Sequence, residues 1–256
     1  MRTKKADINT MMSIMAEVVS IICGLILPRL ILGAFGSSYN GITSSITQFL
    51  SCIVLLRAGV GSVTRAALYN PLSQKNKSEI SGIVNATAIF MKKVALIYVG
   101  ALIVFACVYP FLVRNSFSWI FSATLVLIIG SSTFVDNYFG IAYQMLLQAD
   151  QKNYVNTIPQ IGTTILNTIV AAVLIHCGAG IHLVKLGSAI VYFIRPLFLS
   201  YYVKKKYEID ADIKPNNSAI SQRWDAFAQQ AAAFVNNNTD VIILTMFSDI
   251  KEVSVY

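Results

Sequence analysis

Three arginines stand inside stretches that are otherwise almost free of charge. Arg57 follows "CIVLL", Arg195 sits in "VYFIRPLF", and Arg29 follows Pro28 in "LILPRLIL". A guanidinium is a planar, permanently charged fork that matches phosphate oxygens. In an apolar setting it costs about 2.5–3.5 kcal/mol on insertion scales, so it faces protein or water. The chemistry expected of Arg57, Arg195 and Arg29 is therefore a cationic cavity that holds an anionic phosphate. The plainer alternative is snorkelling to an interface, or an ion pair, for instance with Glu17. Polar side chains recur at helical spacing around these cations. Asn156, Gln160, Thr163 and Asn167 are spaced four, three and four, which puts them on one helix face with Thr164 beside them. Gln48 groups with Ser44, Ser45 and Ser51. Glu17 groups with Ser13, Ser20 and Gly24. Asn237 and Asp240 group with Gln229, Gln230, Asn236 and Asn238. Such stripes suit a hydrated cavity that hydrogen-bonds sugars, or else hydrogen bonds between helices. Asp136 and Glu17 are candidates for a coupling ion or proton, as carboxylates within a membrane often are. A salt bridge to an arginine is the competing reading for Asp136.

Other chemistries have no residues to carry them. There is no GxxxxGK[ST], HExxH or GxSxG pattern, so an enzyme is not expected. Cys23, Cys52, Cys107 and Cys177 lie in or beside apolar blocks without CxxC spacing, and they suit helix packing better than a disulfide or metal. His176 and His182 flank a turn and make a poor metal pair. Asp150 and Lys152 read as loop charges. No metal and no cofactor is expected.

The elements that must position these side chains follow from composition. Of 256 residues, 55% are hydrophobic and only 12% charged, against about 25% charged in an ordinary soluble domain. The mean hydropathy is +0.63. These values exclude a soluble globular domain, a disordered chain and a DNA-binding domain. The apolar residues fall in blocks of roughly 20, the length of helix that crosses about 30 Å of hydrocarbon. Seven blocks emerge, at 11–33, 42–64, 94–113, 117–144, 154–177, 181–203 and 226–247. Asn70-Pro71 is expected to break the chain after the second block. An all-α polytopic membrane protein of about seven transmembrane helices is the expectation.

The net charge of +8 has a topological source in this setting. If the N-terminus is cytoplasmic, the clusters at 2–5, 65–77, 92–93, 152, 204–206 and 214–223 all fall inside. Only Arg114, Lys185 and Lys251 fall outside, which fits the positive-inside rule. No cleavage site follows the first block, so it is expected to be retained. Residues 30–35, "LILGAF", echo residues 242–247, "IILTMF". Transporters are often built from two structural repeats. The expected organisation is a six-helix bundle over 1–203, a cytoplasmic linker over 204–223, and the first helix of a second bundle over 224–256. On this reading the chain is the N-terminal part of a longer protein.

Several stretches carry a family resemblance. "GVGSVTRAALYNPL" (59–72), "DNYFGIAYQMLLQADQKNYV" (136–155), "IRPLFLSYYVKKKY" (194–207) and "SQRWDAFAQQAAAFVNNNTDVIILTMF" (221–247) resemble bacterial polysaccharide flippases. These are the Wzx-type, O-antigen and capsule exporters of the multidrug/oligosaccharidyl-lipid/polysaccharide (MOP) superfamily. The likeness is spread along the chain and covers the family's first half. It implies two helix bundles around a central cavity. It also implies movement of an undecaprenyl-pyrophosphate-linked oligosaccharide across the bacterial cytoplasmic membrane by alternating access. Implied partners are that lipid-linked oligosaccharide, membrane lipids, and a polysaccharide polymerase and glycosyltransferases, with no nucleic acid. The position of Arg57 is often acidic in the family, and this chain departs from it there. A cation-coupled multidrug exporter of the same superfamily is the alternative. It would want acidic rather than basic cavity groups.

Overall fold

The structure is a computed structural model that describes residues 2–54, 58–113, 117–222, 224–228 and 232. The described residues are helical, with no strand. Eight α-helices follow in order: α1 (Arg2–Phe35), α2 (Ser37–Val54), α3 (Ala58–Gln74), α4 (Lys77–Leu112), α5 (Trp119–Val135), α6 (Ile141–Ala149), α7 (Tyr154–His176) and α8 (Ile181–Tyr207). A single π-helical turn, Asp136–Gly140, joins α5 to α6, and a short 3-10 turn covers Asn217–Ile220.

Helix ends fall where backbone chemistry demands them. Gly36, with φ of 89°, closes α1 in the left-handed region that a glycine enters without a Cβ penalty. Asn76 starts α4. Its Oδ1 accepts from the Glu79 backbone N–H (3.2 Å), while its Nδ2 donates to Glu79 Oε2 (3.3 Å). That reciprocal pair works like a capping box. The start of α7 is held from a distant helix. Asn9 of α1 donates to the Gln151 carbonyl and accepts from the Tyr154 backbone N–H, both at 2.9 Å. Asn70-Pro71 does not break the chain as expected. Pro71 removes one backbone donor, but α3 runs three residues beyond it and ends only at Lys75, with φ of 55°.

Among the described residues, five helices are long and apolar enough to cross a membrane: Lys5–Phe35, Lys77–Leu112, Trp119–Ala149, Tyr154–His176 and Ile181–Tyr207. They match the first, third, fourth, fifth and sixth apolar blocks. The second block is divided over α2 and α3 on either side of residues 55–57, which lie outside the described residues. The seventh lies almost wholly outside them.

The helices pack α1 on α7, α7 on α8, α8 on α5, and α5 on α4, with α2 against α1 and α5. Two apolar clusters anchor the two ends. Near the α1–α2 and α4–α5 turns, Ile42, Ile46 and Leu50 of α2 meet Tyr98, Leu102 and Tyr109 of α4 and Leu125 of α5. Near the N-terminus, Leu68, Ile83, Leu146, Leu147, Leu199 and Val203 join α3, α4, α6 and α8. Hydrogen bonds within the packing are few and specific. Tyr98 donates to the Gly130 carbonyl (3.1 Å), and the Thr64 and Thr87 hydroxyls meet at 3.1 Å.

The outside is as apolar as the inside. Ile14, Ile21, Leu25, Leu96, Phe111, Ile120 and Leu183 are all more than half exposed. Only 6% of the most apolar window of α1 is buried. In water each such side chain forgoes about 1.5–3 kcal/mol of burial. In hydrocarbon it forgoes nothing. This is a membrane protein.

Candidate functional site

A cavity of about 510 Å³ opens between α1, α2, α5, α7 and α8. Leu27 of α1, Leu50 of α2 and Ile129 of α5 give it apolar walls. Lys185 of α8 lies on its lining, about 6 Å along the axis from the start of that helix. Lys185, Ser188, Ala189 and Tyr192 form one stripe at helical spacing on this wall. Lys185 has no hydrogen-bond or ion-pair partner among the described residues.

The remaining polar groups are arranged asymmetrically. The hydroxyls of Thr47, Ser51, Ser132 and Ser188 each donate to a carbonyl one turn back in their own helix: Thr43, Gln48, Ile129 and Val184, respectively. Their protons are thus engaged, and their lone pairs remain as acceptors. Asn167 of α7 donates through Nδ2 to the Tyr192 hydroxyl (3.2 Å). Its Oδ1 is buried without a hydrogen-bond partner among the described residues, and the residue is 3% exposed. Tyr192 accepts from Asn167 and keeps its own proton to donate. The cavity therefore offers two kinds of donor, an ammonium and a phenol, and several acceptors. No carboxylate is among its lining residues. A smaller side cavity of about 230 Å³ between α1 and α7 shares Leu27, Asn167 and Tyr192 with it and adds Ser20 and Gly24.

The residues expected from the sequence divide into groups. Asn167 lines the main cavity, with Ser51 from the Gln48 group, while Ser20, Gly24 and Thr164 line the side cavity. Arg195 does not line it. Its Nε and Nη2 both donate to Asn156 Oδ1 (3.2 and 2.9 Å), and it has a further interaction besides. Asn156 is buried in doing so. Two residues expected to bind ligand are thus bound to each other. Thr163 is buried and donates to the carbonyls of Pro159 and Gln160 (2.8 and 3.1 Å). Gln160 is half-buried, and Gln48 is half-buried with an interaction of its own. Arg29 and Glu17 are exposed on α1. They lie twelve residues apart on one continuous helix, about 18 Å, so they do not pair. Arg57, Asn237 and Asp240 lie outside the described residues.

Asp136 begins the π-helical turn, where its Oδ1 accepts from Gln144 Nε2 (2.9 Å). A Cβ on Gly140 would stand 2.8 Å from that carboxylate oxygen and 3.0 Å from Cβ of Pro196. Glycine is what lets α8 close on the turn, one residue after Arg195. Such a turn holds one extra residue and often marks a functional position.

The structure adds detail to three further readings. Lys185 was expected among charges outside the membrane, because it follows the Gly178–Gly180 turn closely. Helix α8 starts at Ile181 and also turns it onto the cavity lining. Asp150 and Lys152 are not simple loop charges. They pair with each other, and Asp150 also accepts from the hydroxyl of Tyr207 at the end of α8. His182 is placed by packing: Nε2 lies 2.9 Å from Thr124 Oγ1, and its ring meets Phe121 edge-on at 4.5 Å. Cys23, Cys107 and Cys177 are free thiols.

Fold and site thus define a helical membrane protein with a cation-bearing cavity between its helices. The chain matches no known protein-family model, no curated protein and no solved structure.

Proposed function

We propose that this protein is a flippase of the MOP type. It would move an undecaprenyl-pyrophosphate-linked oligosaccharide across the bacterial cytoplasmic membrane for surface polysaccharide synthesis. The chain would supply the first bundle of a two-bundle transporter, with seven spans and a cytoplasmic N-terminus. The observation that carries this reading is the inventory of hydrogen-bonding groups in the cavity of about 510 Å³. An ammonium with no partner among the described residues and a phenol suit a phosphate. The acceptors at Thr47, Ser51, Ser132 and Ser188 suit the hydroxyl protons of a sugar. A phosphate carried through hydrocarbon without a compensating cation meets a prohibitive barrier. In this reading Lys185 supplies that cation, with Arg57 and Arg29 as further candidates, and the prenyl tail stays in lipid. Glu17 and Asp136 are the coupling-ion candidates. The absence of a lining carboxylate among the described residues argues against a cationic drug as the cargo.

The test is complementation. The complete reading frame is expressed in cells that lack their own glycan flippase, as wild type and as Lys185→Met, at matched membrane levels. Wild type restores surface glycan, and the variant exports about 10- to 100-fold less, the loss of one charge-assisted contact. Full export by Lys185→Met would remove the phosphate role. Drug resistance without glycan rescue by wild type would move the assignment to the multidrug exporter.

A further inference from the structure

A second cavity, about 270 Å³, lies at the N-terminal end of the bundle, between α4, the π-helical turn, α6 and α8. Residues 209–215 wall it on the outer side. That wall is fastened to α4. Asn85 Nδ2 donates to the carbonyls of Asp210 (2.8 Å) and Ile213 (3.0 Å), and the Asn216 backbone N–H donates to the Gly82 carbonyl (3.0 Å).

Two cations line this cavity, Lys92 from α4 and Lys204 from α8. Both stand at the border of an apolar segment, since the uncharged run 94–113 begins just after Lys92, and the apolar part of α8 ends just before Lys204. They therefore share the level at which a bilayer keeps its phosphates. Lys92 lies over the ring of Tyr138 (5.4 Å to the centroid), and Tyr138 and Ser200 also line the cavity. No carboxylate lines it among the described residues. Of the nearby acids, Glu208 is paired with Lys77, and Asp210 Oδ1 accepts from the Asp212 backbone N–H. The floor is apolar and runs out onto the lipid-facing surface. Ile89 and Phe139 line the cavity and are also 44% and 38% exposed.

We propose that this groove binds the phosphate of an anionic glycerophospholipid, with its acyl chains descending over Ile89 and Phe139. The inference does not depend on the transport reading. Two lysines meet the phosphodiester charge, and the fastened 209–215 wall makes a pocket of what would otherwise be a flat basic rim.

Native mass spectrometry of the full chain in detergent tests it, with phosphatidylglycerol, phosphatidylcholine and inorganic phosphate as probes. Phosphatidylglycerol is expected to be retained over phosphatidylcholine, and the preference should fall about tenfold in Lys92→Gln/Lys204→Gln. A charge-matched control, Lys75→Gln/Lys206→Gln, removes lysines that do not line the groove and should keep most of the preference. All four positions are exposed, and unchanged circular dichroism melting would confirm that both variants fold. Equal loss in the two double variants would reduce the effect to diffuse attraction and overturn the site. No preference in the wild type would also overturn it. Complete displacement by inorganic phosphate would assign the groove to free phosphate and overturn the lipid.

Discussion

The apolar part of helix α8 carries two cations ten residues apart, about 15 Å along its axis. Arg195 gives two N–H groups to a buried Asn156. Lys185 faces a polar cavity with no partner among the described residues. In sequence the two look alike, each a lone basic residue among apolar neighbours. The difference lies in what α7 places opposite. Asn156 meets Arg195. Lys185 shares its cavity with Asn167, whose nearest polar tie is the Tyr192 hydroxyl rather than the ammonium. One cation ties α8 to α7, and the other lines a cavity.

Substitutions break or sharpen this contrast, and thermal unfolding in detergent micelles, followed by circular dichroism, measures each. The largest loss is expected for Asn156→Leu. Removing the acceptor of a charged donor costs about 1.5–3 kcal/mol of stability. An unchanged melting point would show that Arg195 does not depend on Asn156. Gly140→Ala comes next. The new Cβ would press Asp136 and Pro196 apart, at about 1–3 kcal/mol for overpacking. A neutral result would mean that the π-helical turn yields freely. Asn9→Ala removes the only side-chain cap seen at the start of α7 among the described residues, for about 1 kcal/mol. Tolerance of this change would put the anchoring of α1 in its apolar face alone. Lys185→Met should leave stability unchanged or raise it, because it deletes a desolvated charge that has no partner among the described residues. A clear destabilisation would mean that Lys185 is structural. The smallest effect is expected at Glu208, whose carboxyl is held below its ordinary range by the hydrogen bond and charge of Lys77. Its contribution is present above the ordinary carboxylate pKa and fades as the pH falls through the lowered one. Both side chains are solvent-exposed, so Glu208→Gln should not move the melting point at neutral pH. A shift there would reveal a stronger latch between α4 and the linker.

Much of this was legible in the chain itself. Apolar block length and low charge specify helices that cross a membrane, because hydrocarbon permits only segments that satisfy their own backbone. Four-three-four spacing put Asn156, Thr163 and Asn167 on one face, and all three are buried. Glycines at 36 and 178 mark turns that need positive φ. Periodicity could not show the extra residue at Asp136–Gly140, since one residue in a run of 31 barely shifts an apolar pattern. Nor could it show that Asn9 would cap a helix more than 140 residues away.

The sequence alone determined the solvent: a chain this apolar, cut into segments of this length, must lie in a bilayer. It also picked out polar and charged side chains within those segments. Only the tertiary structure decided which of them are spent. Asn156 and Arg195 satisfy each other, while Lys185, which the sequence did not single out, lines a cavity. The physical reason is that hydrogen bonding between helices depends on their mutual rotation and depth. Those are fixed by contacts far apart in the chain, such as Pro196 against Gly140 and Asn9 against the start of α7.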